Sequence, residues 1–255
     1  MIAVEAGAAS VGAFFDLDGT VLPAPSLEWR FVGYLLEHDE ISGEHVGRWL
    51  ARFVADFWHD LHGATVGNKR YLCGISEGLA DEWEQSLAME YFCGDALGLF
   101  EEALQRIVWH GVQGHRVFVV SGTLAPLARV VARRVSTLVS AEIEVCATEL
   151  EIARGVARTW NGRIAGEHMS GGVKLRAVAV VAARYGIDLA RSYAYGDSFS
   201  DLRMLEGVGN SVAVNPTRRL ARVARERGWQ TCVWEKTFSE IPHVAARRFA
   251  SRVAQ

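Results

Sequence analysis

Four short apolar runs, each stopped by acidic or turn-forming residues, set the rhythm of this chain. Val11-Gly12-Ala13-Phe14-Phe15 ends at Asp16, and Val117-Phe118-Val119-Val120 ends at Ser121-Gly122-Thr123. Ser192-Tyr193-Ala194-Tyr195 ends at Gly196-Asp197, and Ser211-Val212-Ala213-Val214 ends at Asn215-Pro216. Short continuous runs bounded by turn residues are expected of strands buried on both faces, as in a parallel sheet. Helical periodicity separates them. Leu97, Phe100, Leu104 and Val108 recur at helical spacing within residues 96–110, and residues 124–135 and 173–185 are rich in Ala, Val, Leu and Arg. Gly186 supplies a helix stop at the end of the last of these. This alternation predicts an α/β fold with a Rossmann-like doubly wound parallel sheet at its core.

Two stretches break the rhythm. Glu149-Leu150-Glu151-Ile152-Ala153 alternates, and Asn161-Gly162 lies between Thr159-Trp160 and Arg163-Ile164, which predicts a hairpin extending the sheet. From Pro23 to Phe92 the strand signal vanishes, and residues 27–36, 45–62 and 77–92 read as aromatic-rich helices. That stretch carries 12 acidic residues against 5 basic ones, a local charge of −7, whereas the remainder sums to +4. The change marks residues 23–92 as an inserted α-helical domain, with residues 1–22 and 93–255 forming the core domain. Trp29, Trp49, Trp58 and Trp83 are expected to pack this small bundle. Asp56, His59, Asp60 and His62 read as a solvated helix face, not a second metal site. One of the segment's cations (Arg30, Arg48, Arg52, Lys69 and Arg70) is expected to meet an anionic part of a substrate.

Composition narrows the classes. The 255 residues are half hydrophobic and carry a net charge of −3, which gives no whole-chain argument for a nucleic-acid partner. Cys73, Cys93, Cys146 and Cys232 form no Cys-x-x-Cys pair and read as reduced, mostly buried thiols. Residues 1–10 contain Glu5 and no basic residue, unlike a secretory signal, and no apolar stretch approaches the roughly 20 residues that span a bilayer. A cytoplasmic monomer or homodimer without stable membrane insertion is expected. Residues 238–253 read as a tail docked on the core.

The candidate chemistry sits at the ends of the runs. Asp16 and Asp18, two residues apart after a strand, repel each other unless a cation sits between them. A carboxylate can attack phosphorus and form an aspartyl-phosphate, so Asp16 is the candidate nucleophile. Asp18 is the candidate acid for the leaving oxygen and base for the hydrolytic water. Gly19 permits the close turn that places Asp18 over the site, and Thr20 completes the motif. The Ser121 hydroxyl and the backbone N–H groups of Gly122 and Thr123 are candidates to hold phosphoryl oxygens. Lys174, opening another helix after Gly171-Gly172, is a candidate cation for those oxygens and for Asp16. Asp197 suits Mg²⁺, which takes few protein oxygens plus water and phosphate, and Asp201 is placed to orient Lys174 or a metal-bound water.

Taken together, these motifs resemble those of haloacid dehalogenase superfamily phosphatases, in particular the subfamily of phosphoserine phosphatase. The resemblance runs from Phe14 to about Trp234. It is carried by Asp16 and Asp18, Ser121, Lys174, and Asp197 with Asp201, and it is densest from Tyr193 to Trp229. It implies that Mg²⁺ is held by Asp16, the backbone carbonyl of Asp18, and Asp197, and that the helical insertion closes over a small phosphorylated substrate. The chain departs from the subfamily at Thr123, where a second glycine is usual, and at Ser200, where an asparagine is usual. The cap glutamate that grips the serine amino group also lacks a counterpart, with Pro25 near its place and Glu28 displaced. The resemblance therefore implies the reaction and leaves the substrate open, a lipid phosphate included. Two other readings stand beside hydrolysis: phosphoryl transfer to an acceptor other than water, as in a mutase, and a non-catalytic module retaining the fold.

Overall fold

The computed structural model describes residues 10–43, 47, 69–90, 97–154 and 158–237. Along the chain these form β1 (Gly12–Phe15), α1 (Leu27–Glu37), α2 (Leu79–Glu90), α3 (Glu101–Val112), β2 (Arg116–Leu124), α4 (Ala125–Val139) and β3 (Ile143–Thr148). There follow β4 (Leu150–Ile152), β5 (Trp160–Ile164), α5 (Gly172–Tyr185), β6 (Tyr193–Gly196), α6 (Leu202–Glu206), β7 (Asn210–Val214), α7 (Arg218–Glu226) and β8 (Gln230–Cys232). Six strands make one sheet in the order β3-β2-β1-β6-β7-β8, and every pairing is parallel. The strand order reverses between β1 and β6, so their carboxyl ends open a crevice of the kind where α/β sheets bind ligands.

Strand β1 is central because nothing in Gly-Ala-Phe-Phe needs water, and all four residues are buried. Ala13 and Phe15 face an apolar layer shared with Leu104 and Ile107 of α3 and Val131 of α4. Phe14 faces the opposite layer with Val178 of α5, Met204 of α6 and Leu220 of α7. Phe14 stacks on Phe118 at 5.2 Å and Phe15 on Tyr195 at 4.3 Å between ring centroids, each pair locking β1 to a neighbour. Burying one such ring stabilises the fold by about 1.5–3 kcal/mol.

Helices α1 and α2 lie in the chain between β1 and β2. Their Phe31, Leu35 and Trp83 join the same apolar cluster as Leu127 of α4 and Trp160 of β5. Trp83 is buried as expected, but Trp29 is 54 % exposed. The region expected to be helical at 45–62, with Trp49, Trp58 and the Asp56–His62 group, lies outside the described residues, as do Cys93 and the tail from 238. The expected hairpin exists as a separate antiparallel sheet of β4 and β5, not as an extension of the main one. Asn161 and Gly162 sit inside β5, not in its turn, and Gly162 adopts φ 77° where the register shifts. Cys73 is exposed, contrary to the expectation of buried thiols. No helix among the described residues is long and apolar enough to cross a membrane.

Beneath the strand that carries Asp16, the Tyr195 hydroxyl meets His110 Nε2 at 2.8 Å, and His110 Nδ1 meets His115 Nδ1 at 2.8 Å. A neutral imidazole satisfies both contacts, one nitrogen donating and the other accepting. Burial, reinforced by His115 and Arg106, lowers the His110 pKa to about 3. The folded state therefore binds one proton fewer than the unfolded chain between about pH 3 and 6.5, and stability falls as pH drops through that window. In an NMR titration the His110 imidazole is expected to show no protonation step above about pH 4.

Candidate active site

Asp16 continues the ladder of β1, its N–H donating to the Tyr195 carbonyl at 2.9 Å. The chain then curls. The Leu17 carbonyl accepts from the N–H groups of Thr20, Val21 and Leu22, and the Gly19 N–H donates to the Leu22 carbonyl at 2.6 Å. Gly19 is required twice over: its φ is +85°, and a Cβ there would lie 2.6 Å from Asp197 Oδ2. The curl thus lets the backbone after Asp18 lean directly on the Asp197 carboxylate.

Lys174 joins three segments. It stands in the first turn of α5, and its ammonium donates to Asp16 Oδ1 and to Asp201 Oδ1, each at 2.5 Å. Side-chain exposure is 2 % for Lys174, 8 % for Asp16 and 0 % for Asp201. Asp201 Oδ2 accepts from the Ser198 N–H and hydroxyl, both at 3.0 Å, in a capping box that opens the 3-10 turn Phe199–Asp201. Both Asp201 oxygens are therefore engaged. Gly196 allows that approach, since a Cβ there would lie 2.5 Å from Asp201 Cβ. One carboxylate oxygen each of Asp16, Asp197 and Asp201 lie within 4.8 Å of one another.

The charges do not balance. Three carboxylates face one ammonium, and burial removes the water that would screen them. Burial and then Asp201 push the Asp16 carboxyl well above its ordinary range, against the pull of Lys174. Burial, again with Asp201, raises Asp197 to about 7. Burial by itself would lower the Lys174 pKa, but Asp16 and Asp201 together outweigh it and raise it.

The second loop closes over the first. The Thr123 N–H donates to Ser121 Oγ at 3.2 Å, which leaves the Ser121 hydroxyl proton for another acceptor. The Thr123 hydroxyl donates to Asp18 Oδ2, and the Leu27 N–H donates to Asp18 Oδ1 at 2.7 Å. Thr123 was expected to offer its N–H to a phosphoryl oxygen; that N–H is turned onto Ser121, and the hydroxyl onto Asp18. Thr148, at the end of β3, donates to the Gly122 carbonyl at 2.8 Å and accepts from the Met169 N–H at 3.1 Å. His168 packs against Gly122, where a Cβ would meet it at 3.0 Å. Thr20 is fully buried and its hydroxyl has no hydrogen-bond partner.

The sequence therefore places Asp16, Lys174, Asp197 and Asp201 in one cluster, with Gly19 against it and Asp18, Ser121 and Thr123 linked beside it. The Ser198-x-x-Asp201 spacing is a capping-box pattern, the local sequence signal for this turn. The contacts of Thr148 and Leu27 join residues far apart or backbone atoms, which no local spacing announces. Among the segment's cations, Lys69 is bound to both oxygens of Glu28 at 2.6 and 2.7 Å, and the Tyr71 hydroxyl also donates to Glu28. Arg30 donates to the carbonyls of Pro23, Pro25 and Leu97. The contacts of both are thus to protein groups. Arg48, Arg52 and the Arg70 side chain lie outside the described residues.

A doubly wound sheet with three acids and a buried lysine converging at its topological switch point places this cluster where α/β folds bind ligands. The sequence profile of the haloacid dehalogenase-like hydrolases matches residues 13–206, and the chain belongs to that family. It is 32 % identical over 254 residues to a "probable phosphatase" of Mycobacterium tuberculosis, covering 96 % of this chain and 84 % of that one. It is 28 % identical over 241 residues to a phosphoserine phosphatase of the same organism, covering 87 % of this chain and 70 % of that one. A crystal structure of a protein of unknown function from Bordetella pertussis superposes with a TM-score of 0.70 at 22 % identity, over 88 % of this chain and 99 % of the other.

Removing the Lys174 charge leaves two buried carboxylates uncompensated. Lys174→Met is expected to lower the unfolding free energy at pH 8 by about 3–5 kcal/mol, measured by urea denaturation. Arg176→Ala, which breaks an exposed pair with Glu167, is expected to cost under about 1 kcal/mol. The Lys174→Met deficit should shrink towards pH 5, because protonating either acid removes the unpaired charge. A deficit that grows on acidification contradicts this account.

Proposed function

We propose that the chain is a phosphatase that hydrolyses a small phosphomonoester through an aspartyl-phosphate on Asp16. The observation that carries this reading is the Asp16 carboxylate itself, buried at the switch point with Lys174 on Oδ1 and its other oxygen, Oδ2, left to attack. The phosphatase relatives support the same reaction class.

Attack by Asp16 Oδ2 forms the new O–P bond as the ester O–P bond breaks. Asp18 delivers its proton to the departing oxygen and so leaves as a carboxylate. Water then attacks phosphorus, Asp18 takes the proton, and the Asp16 O–P bond breaks to release phosphate. The Ser121 hydroxyl donates a hydrogen bond to a phosphoryl oxygen, with the Gly122 N–H as the candidate second donor, and Lys174 keeps Asp16 aligned.

The residues fit Mg²⁺. The clustered donors are hard carboxylate oxygens, and one ammonium among three acids leaves negative charge for a divalent cation. Asp16 and Asp197 would hold it, with the Asp18 carbonyl added by the family resemblance, while Asp201 already accepts from Lys174 and Ser198. When bound, the ion supplies positive charge that neutralises the phosphoryl oxygens. In the same reading, residues 23–92 form a cap over the core of residues 1–22 and 93–255, and α1 touches the site at Leu27.

Phosphate release from purified protein is expected to require Mg²⁺, and Asp16→Asn is expected to slow it at least about a thousandfold. Undiminished release by Asp16→Asn would falsify the nucleophile assignment. Asp197, raised to about 7, must lose a proton to hold the cation. Asp16, also raised, must do the same, so Mg²⁺ affinity measured by calorimetry is expected to weaken as pH falls through 7, by up to about tenfold per unit for each proton taken up.

A further inference from the structure

Asp18 is clamped from two sides. Its Oδ1 accepts the Leu27 N–H at the start of α1, and its Oδ2 accepts the Thr123 hydroxyl from the carboxyl end of β2. Both partners are fixed themselves: Leu27 is fully buried, Thr123 is 4 % exposed, and the Thr123 N–H is tied to Ser121 Oγ. A carboxyl on a single-methylene stem otherwise rotates about two bonds, and proton delivery requires it within hydrogen-bond reach of one particular oxygen.

We infer that Thr123 is a positioning residue for Asp18, setting the plane of the carboxyl group and its register with the phosphate-holding loop. The inference rests on the phosphatase reading above. A hydroxyl suits the task because it both donates and accepts. It donates to Asp18 in the ionised state and can turn to accept when Asp18 carries the proton, so one side chain holds the group through both halves of the reaction. Thr123 itself gains and loses no proton. The proton travels from Asp18 to the ester oxygen as the O–P bond breaks, and later from water to Asp18. Since Thr123 also bonds Ser121, the acid and the phosphoryl group it serves are measured from the same loop.

The test compares leaving groups. An alkyl phosphate such as glycerol 2-phosphate needs its departing oxygen protonated, whereas p-nitrophenyl phosphate releases a stable anion. With Mg²⁺ present, Thr123→Val is expected to lower kcat/KM for glycerol 2-phosphate about 10- to 100-fold but that for p-nitrophenyl phosphate no more than about fivefold. Thr123→Ser, which keeps the hydroxyl, is expected to stay within about threefold of the parent on both. Equal losses on the two substrates, or a serine variant as impaired as the valine one, overturn the inference while leaving the phosphatase reading intact. Should the valine variant not fold, Thr123→Ala makes the same comparison, and equal losses there overturn it as well. A parent protein that hydrolyses neither ester overturns the phosphatase reading and this inference with it.

Discussion

The ammonium of Lys174, shared between Asp16 and Asp201 at 2.5 Å each, is the contact on which the rest of the site depends. All three groups have left water, and a buried ion pair costs desolvation that its attraction need not repay. An apolar trio of the same volume would suit stability at least as well. What the lysine supplies is geometry: it ties the end of β1, the first turn of α5 and the loop after β6 into one rigid junction. The Gly171 N–H reinforces that junction by donating to the Ser200 carbonyl at 2.8 Å. The sheet order makes this possible, because only the reversal between β1 and β6 brings these loops side by side.

One lysine cannot satisfy three acids, and the backbone is shaped to keep the mismatch. Gly19 and Gly196 remove the two side chains that would wedge Asp197 and Asp201 away from the centre. Unsatisfied charge held in place by close backbone approach is what a cation or an anionic transition state can exploit, because the groups are already oriented and need not reorganise. The raised Asp16 and Asp197 carboxyls express the same mismatch as proton affinity.

How far this was legible in the sequence follows from where each signal lives. β1, β2, β6 and β7 are buried on both faces, so each is a run of apolar residues with a stop, and each stop that carries chemistry announced itself. β3 is a sheet-edge strand whose residues are mostly half-buried, so Ile143–Thr148 shows no such run. β8 has only three residues. Asn161-Gly162 has the composition of a tight turn, yet tertiary pairing draws it into β5: the Trp160 N–H donates to the Ile75 carbonyl at 2.9 Å, and Trp160 is buried beside Phe31. The partner of the Thr123 hydroxyl is 105 residues away, and no periodicity encodes a contact of that span.

The division between what was and was not legible is also a division of labour. Asp16, Lys174 and the rest of the acidic cluster sit on strand ends and helix starts, where local sequence dictates local structure. The clamp on Asp18 is built from two segments far apart in the chain, with Thr123 from the end of β2 and Leu27 from the start of α1. Glu28, the next residue along, is compensated by Lys69 and Tyr71, so the first turn of α1 brings to the acid a backbone donor and a closed ion pair, not an open charge. A substrate cation would have to displace Lys69 to reach that carboxylate. Residues 23–92 carry −7 overall, yet the first turn of α1 meets Asp18 through the Leu27 backbone N–H, and the Glu28 charge is closed in its own ion pair with Lys69.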